Sequence, residues 1–134
     1  MDKPKFILDG NNFKTLEEFY DKITEILSLP SWWGRNLDAL NDVLRSDFMP
    51  EQGYLIIWKN SHLSKQFLGY EETVKQLFKK LENCHPDNVS SIQRQMEEAK
   101  RQEGPTIFDW LVEIIRDHCL GGNEEEDNAE LILE

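Results

Sequence analysis

The chain is poor in the features on which secreted, membrane-bound and metal-stapled proteins rely. Its 134 residues include only two cysteines, Cys84 and Cys119, too few for a disulfide framework. Each adjoins a histidine, as Cys84-His85 and His118-Cys119. Zinc ligands usually stand about two to four residues apart, so this spacing speaks for two ordinary thiols in a reducing compartment rather than a metal site. No apolar stretch approaches the ~18–20 residues that a membrane crossing needs. The opening Met-Asp-Lys-Pro-Lys passes straight into strand-like sequence without an apolar signal segment, so a cytoplasmic location is expected. There is no Gly-rich phosphate loop, metal-ligand cluster or Ser/Cys-His nucleophile pattern, which leaves catalysis and cofactor binding without support. Basic side chains are also scarce: 15 face 26 acidic ones, for a net charge of −11. That balance opposes direct binding to nucleic acid and suits a cationic protein partner, although acidity also simply keeps a protein in solution.

What is present is enough for one domain with a single core. Lys5–Asp9 reads as a short strand closed by the turn Asp9-Gly10-Asn11-Asn12. Thr15 and Glu18 form a capping-box signal before a helix over 16–28, with Leu16, Phe19, Tyr20, Ile23, Ile26 and Leu27 at helical spacing. The continuous apolar run at 54–58, Tyr-Leu-Ile-Ile-Trp, predicts a strand in a sheet covered on both faces. A short helix over 61–68 precedes a longer one over Tyr70–Asn83, whose apolar stripe is Tyr70, Val74, Leu77, Phe78 and Leu81. Pro86-Asp87 breaks the chain before a polar segment, 88–103, with a narrow stripe of Val89, Ile92, Met96 and Ala99; this predicts a surface helix. Gly104-Pro105-Thr106 introduces a strongly apolar helix over 107–120, and Gly121-Gly122 ends it. An acidic loop at 123–128 leads to a last strand at 129–133. The last fourteen residues hold Glu124, Glu125, Glu126, Asp127, Glu130 and Glu134, and so carry −6 of the total charge. Strands alternating with helices imply parallel pairing through right-handed crossovers.

One segment is poorly explained by folding alone. Trp32 and Trp33 lie on a loop bounded by Pro30 and Gly34, directly before a short amphipathic helix starting near Asn36. Leu37, Leu40, Val43 and Leu44 share one face of that helix, and Asp38, Asn41, Asp42 and Arg45 the other. Two carboxylates four residues apart repel, at a cost of roughly 0.2–0.5 kcal/mol. Asp38 near the helix start could simply offset the macrodipole. Asp42, read as mid-helix, has no such excuse, though Arg45 at i+3 could pair with it. Trp33 is expected to face the core, as are Trp58 and Trp110, leaving Trp32 outward. His62, His85 and His118 are dispersed and are expected on the surface or in helix packing.

The order Leu-Pro-x-aromatic-aromatic-Gly-x-Asn-Leu-Asp-Ala-Leu-x-Asp, running from Leu29 to Asp42, closely resembles the signature of the barstar family, intracellular inhibitors of secreted bacterial ribonucleases. The likeness extends to the first strand, Gly turn and helix, to the central strand with Trp58 and Ser64-Lys65-Gln66, and to the last helix, Gly122 and terminal strand. It covers roughly three quarters of the chain; the block at about 69–104 lies outside it and resembles helical insertions of larger barstar-like proteins. The resemblance implies an α/β fold over 1–134, a small barstar-like layer of three parallel strands packed with helices. It implies an immunity-type inhibitor forming a 1:1 complex with a basic ribonuclease or nuclease toxin domain.

Carried over residue by residue, Asp42 becomes the plug that stands where a substrate phosphate would lie. Asp38, one turn earlier, becomes the second acidic contact. Trp32 becomes the aromatic that packs on the enzyme where the family commonly has Tyr. Gly34 and Asn36 present the loop backbone, with Asn36 also a candidate helix cap, and Asp117 matches a peripheral glutamate. Two positions depart from the pattern. Asn41, a partner-binding position by this match, replaces the family's tryptophan just before the plug, and Gly121 falls where an acid is expected.

Two other function classes compete. The chain could be a non-inhibitory adaptor using its acidic face or the inserted helices. It could be an enzyme using the Asp38/Asp42 pair, but an exposed helix offers no pocket to separate their pKa values.

Overall fold

The computed structural model describes residues 3–134. Three strands, β1 (Lys5–Asp9), β2 (Tyr54–Lys59) and β3 (Ala129–Leu133), form one parallel sheet in the order β1-β2-β3. Among the described residues six α-helices connect them: α1 (Leu16–Leu27), α2 (Leu37–Val43), α3 (Ser61–Phe67), α4 (Tyr70–Asn83), α5 (Val89–Lys100) and α6 (Ile107–Arg116). The expected α/β layer of three parallel strands is therefore present.

The sheet departs from expectation in one respect. Side chains alternate along each strand, and the register aligns Leu8 with Trp58 and Tyr54 with Ala129, all four buried, on one face. On the other face Ile7, Ile57 and Ile132 are aligned across the three strands, and Ile7 and Ile132 remain 42% and 44% exposed. The apolar run in β2 thus does not mark a sheet covered on both faces. A central strand can be apolar on its open side because its neighbours' side chains, rather than helices, flank it.

On the covered face Trp58 is the centre of an aromatic cluster. Its ring stacks on Phe19 at 5.8 Å and meets Phe13 and Phe108 at 6.1 and 5.2 Å, while Nε1 donates to Ser64 Oγ at 2.9 Å. Gly10 lets the turn after β1 reach this layer, since a Cβ there would run into the Asn60 carbonyl. Thr15 Oγ1 caps α1 by accepting from the Glu18 amide, whereas Glu18 reaches back to the Lys14 amide. Helix α6 ends at Arg116, earlier than its sequence suggests, with a capping box of Thr106 and Asp109 at its start.

Helices α4 and α5 pack chiefly on each other. Leu77, Ile92 and Met96 form a satellite core, joined to the main one through half-buried Trp110. The expected α5 stripe is buried at Ile92, Met96 and Ala99. Phe78, expected on the α4 stripe, is instead exposed, because α4 turns Glu72, Thr73 and Leu77 inward. Those polar residues dock the pair onto the rest: Glu72 Oε2 accepts from the Leu16 amide at 2.9 Å, and Thr73 Oγ1 accepts from the Ile107 amide at 2.9 Å. Each thereby satisfies a helix-start donor that no intrahelical carbonyl can reach.

Candidate functional site

The two adjacent tryptophans divide as expected. Trp33 is buried, edge-on to Tyr20 at 5.5 Å, and its Nε1 donates to Thr24 Oγ1 at 2.7 Å. Trp32 is 73% exposed and touches only one other aromatic, Phe48, edge-to-face at 6.4 Å. Phe48 is itself 49% exposed and was not legible as part of the site. It follows α2 in an irregular loop, where no periodicity reveals which way a side chain points.

The loop between Trp33 and α2 is tightly held. Arg35 adopts a left-handed backbone at φ 50°, and its guanidinium is anchored on Asp21 Oδ1 at 2.6 Å. Gly34 packs closely on the helix start, where a Cβ would sit 3.0 Å from the Ala39 Cβ. Asn36 caps α2 by accepting from the Ala39 amide at 2.8 Å, so its side chain is engaged within the loop. Capping and close packing make this a rigid support for an exposed face.

Asp38 is exposed in the first turn of α2 and Asp42 in the last, because the helix ends at Val43. Asp42 is therefore not mid-helix, as its sequence suggested, but sits where the macrodipole disfavours a carboxylate, an effect of ~0.3–1 kcal/mol. Its side chain is 61% exposed, with Arg45 Nη1 at 3.3 Å from Oδ1. Trp32, Gly34, Asp42 and Phe48 line one shallow concavity of about 350 Å³. Asn36 and Asp38 border a different and larger groove of about 1030 Å³, whose far wall is α4 with Lys80 and Asn83. Asp117 lies elsewhere again, half-buried at the end of α6 beside β3. The expected residues thus form a core group around Trp32 and Asp42, a flank at Asp38, and a separate position at Asp117.

Asn41 faces inward. Its Oδ1 lies 2.9 Å from Nε2 of His118, whose Nδ1 is 2.6 Å from Asp127 Oδ2. His118 is fully buried, so of the two expected placements it takes the one in helix packing, against α2. Asp127 also accepts from the Ser46 amide at 2.9 Å, and Glu124 Oε1 accepts from Arg45 Nε at 2.6 Å. The acidic loop therefore grips the chain leaving α2 by two carboxylates. Nothing in the sequence linked positions 41 and 118, which meet only after folding.

On the flank towards α4, Glu17 accepts from Lys79 Nζ at 2.6 Å and from Gln76. Partial burial opposes its ionisation, but the Lys79 and Gln76 hydrogen bonds prevail and hold its pKa near about 2. Burial pushes the Cys119 thiol above its ordinary value, and both cysteines are free. Among the described residues no group of three or more His, Cys, Asp or Glu is placed to hold a metal ion, and no helix is long and apolar enough to cross a membrane.

The family model described as "Barstar (barnase inhibitor)" matches residues 4–89, which include the whole Trp-Trp loop and α2. The chain belongs to the barstar family. A Bacillus subtilis (strain 168) relative, named "Putative ribonuclease inhibitor YrdF", is 33% identical over 89 residues, covering 66% of this chain and 96% of the relative. Barstar-family proteins are inhibitors, and the chain is accordingly not an enzyme, as the missing catalytic motifs led one to expect.

Proposed function

We propose that the chain inhibits a ribonuclease or nuclease toxin domain with a basic active site, forming a 1:1 complex that protects the producing cell. The observation that carries this is the exposure of Trp32 and Asp42 on one concavity, with Asp42 at a helix end where the macrodipole disfavours its charge. A carboxylate on a rigid capped helix accepts charge-assisted hydrogen bonds from arginine, lysine and histidine, as a phosphate does. Trp32 and Phe48 supply the apolar contact beside it, and Asp38 a second acidic contact on the flank. With Asn41 turned in to His118, the apolar role of the family's tryptophan passes to Phe48.

The test is to titrate barnase with the chain while following cleavage of a fluorogenic RNA oligonucleotide. Truncating one partner of a buried, hydrogen-bonded interface charge pair costs ~2–5 kcal/mol, a range informed by the barnase–barstar complex itself, so Asp42→Ala should weaken inhibition by about thirtyfold or more. Asp42→Ala inhibiting as strongly as the parent would refute the plug. Failure of the parent to inhibit would refute a barnase-type target and favour the adaptor reading, in which capture of basic proteins depends on 88–103 rather than on Trp32 and Asp42.

A further inference from the structure

The Arg45 guanidinium stands beside the proposed plug, an unwelcome neighbour for a carboxylate offered to a cationic active site. Fully engaged on Asp42, it would neutralise the charge and occupy lone pairs that the partner needs. The geometry shows a divided guanidinium. Its Nη1 is 3.3 Å from Asp42 Oδ1, while its Nε donates to Glu124 Oε1 at 2.6 Å.

Glu124 is the better-fixed of the two acids. Its side chain is 20% exposed, against 61% for Asp42, so its attraction for the guanidinium is less screened by water. Its backbone is tied down at both sides: its amide donates to the Asp117 carbonyl at 2.7 Å, and its carbonyl accepts from the Asp127 amide at 3.1 Å. Its second carboxylate oxygen lies 3.5 Å from His118 Nε2. The Arg45 pKa is raised first by the hydrogen bond it donates to Glu124 and then by the Glu124 charge, with Asp42 a smaller contributor.

We infer that Glu124 is a positioning residue of the recognition face, holding Arg45 back so that Asp42 presents open lone pairs to a cationic partner. This rests on the inhibitory reading of Asp42 and assigns the acidic loop a role within it. Glu124 touches no partner in this scheme; it acts through Arg45.

The experiment is a double-mutant comparison by the same barnase titration, each variant first shown to be folded by circular dichroism. Glu124→Gln is expected to weaken inhibition about tenfold, because the released guanidinium closes on Asp42. Glu126→Gln, the same charge change on an exposed neighbour, should alter it less than about twofold. In an Arg45→Ala background, Glu124→Gln should lose its effect, to within about twofold, which a merely structural or long-range role for Glu124 would not do. Equal effects of Glu124→Gln and Glu126→Gln, or a loss that persists without Arg45, would overturn the inference while leaving the plug intact. A parent that does not inhibit, or an Asp42→Ala variant that inhibits like the parent, would instead bring down the underlying reading, and this one with it.

Discussion

Replacing Asp127 by alanine tests how the acidic loop holds the fold together. Asp127 is buried and accepts two hydrogen bonds, from the His118 ring at 2.6 Å and from the Ser46 amide at 2.9 Å. A hydrogen bond to a charged group contributes about 1.5–3 kcal/mol, and a buried donor stranded by truncation costs about 1–3 kcal/mol. Relief from burying a carboxylate offsets part of this, so the net loss should be about 3–4 kcal/mol, a large share of an ordinary domain's ~5–15 kcal/mol. Asp127→Asn keeps one acceptor oxygen but turns an NH2 towards the other donor, and should cost roughly half as much. Urea unfolding followed by tryptophan fluorescence measures both, as a lowered midpoint at unchanged slope. Pairing Asp127→Ala with His118→Phe should cost at least about 1 kcal/mol less than the two separate losses, since the stranded imidazole is gone. An Asp127→Ala variant within about 0.5 kcal/mol of the parent would show that these contacts do not hold the loop, and would refute the reasoning.

Further outcomes follow from the same geometry. Because Glu17 has a pKa near about 2 when folded, below its ordinary 4.5, its contribution is fully present above pH 4.5 and is lost as the pH falls towards 2. Its half-exposed pair with Lys79 is screened, so Glu17→Gln should cost about 1 kcal/mol or less at neutral pH, and the gap in melting temperature should close on acidification. Asn36→Ala removes the α2 cap and should cost about 1 kcal/mol by thermal melting. Trp33→Ala should cost about 3–5 kcal/mol, whereas Trp32→Ala should leave unfolding within about 0.5 kcal/mol of the parent while weakening barnase inhibition.

Local pattern made most of the fold legible. Strand β1, helix α4 and strand β3 match their expected spans, and the caps at Thr15 and Asn36 act as their residue types suggest. Local pattern does not show a side chain's direction where a distant neighbour sets it. Phe78 belongs to a helical stripe by spacing, yet α4 is rotated by the docking of Glu72 and Thr73 onto the starts of α1 and α6. The apolar run of β2 announces a central strand but cannot say whether a helix covers its second face.

Residue type and the helical period, both local properties, already give the Trp-Trp-Gly loop, its Asn cap and two acids one turn apart. How that segment is held and divided emerges only on packing. Packing sets Trp32, Asp42 and Phe48 on one concavity and Asp38 on another, turns Asn41 in to His118, and brings Glu124 to Arg45 across 79 residues. Those contacts join positions that no periodicity relates, because they exist only once α2, α6 and the turn before β3 have packed together.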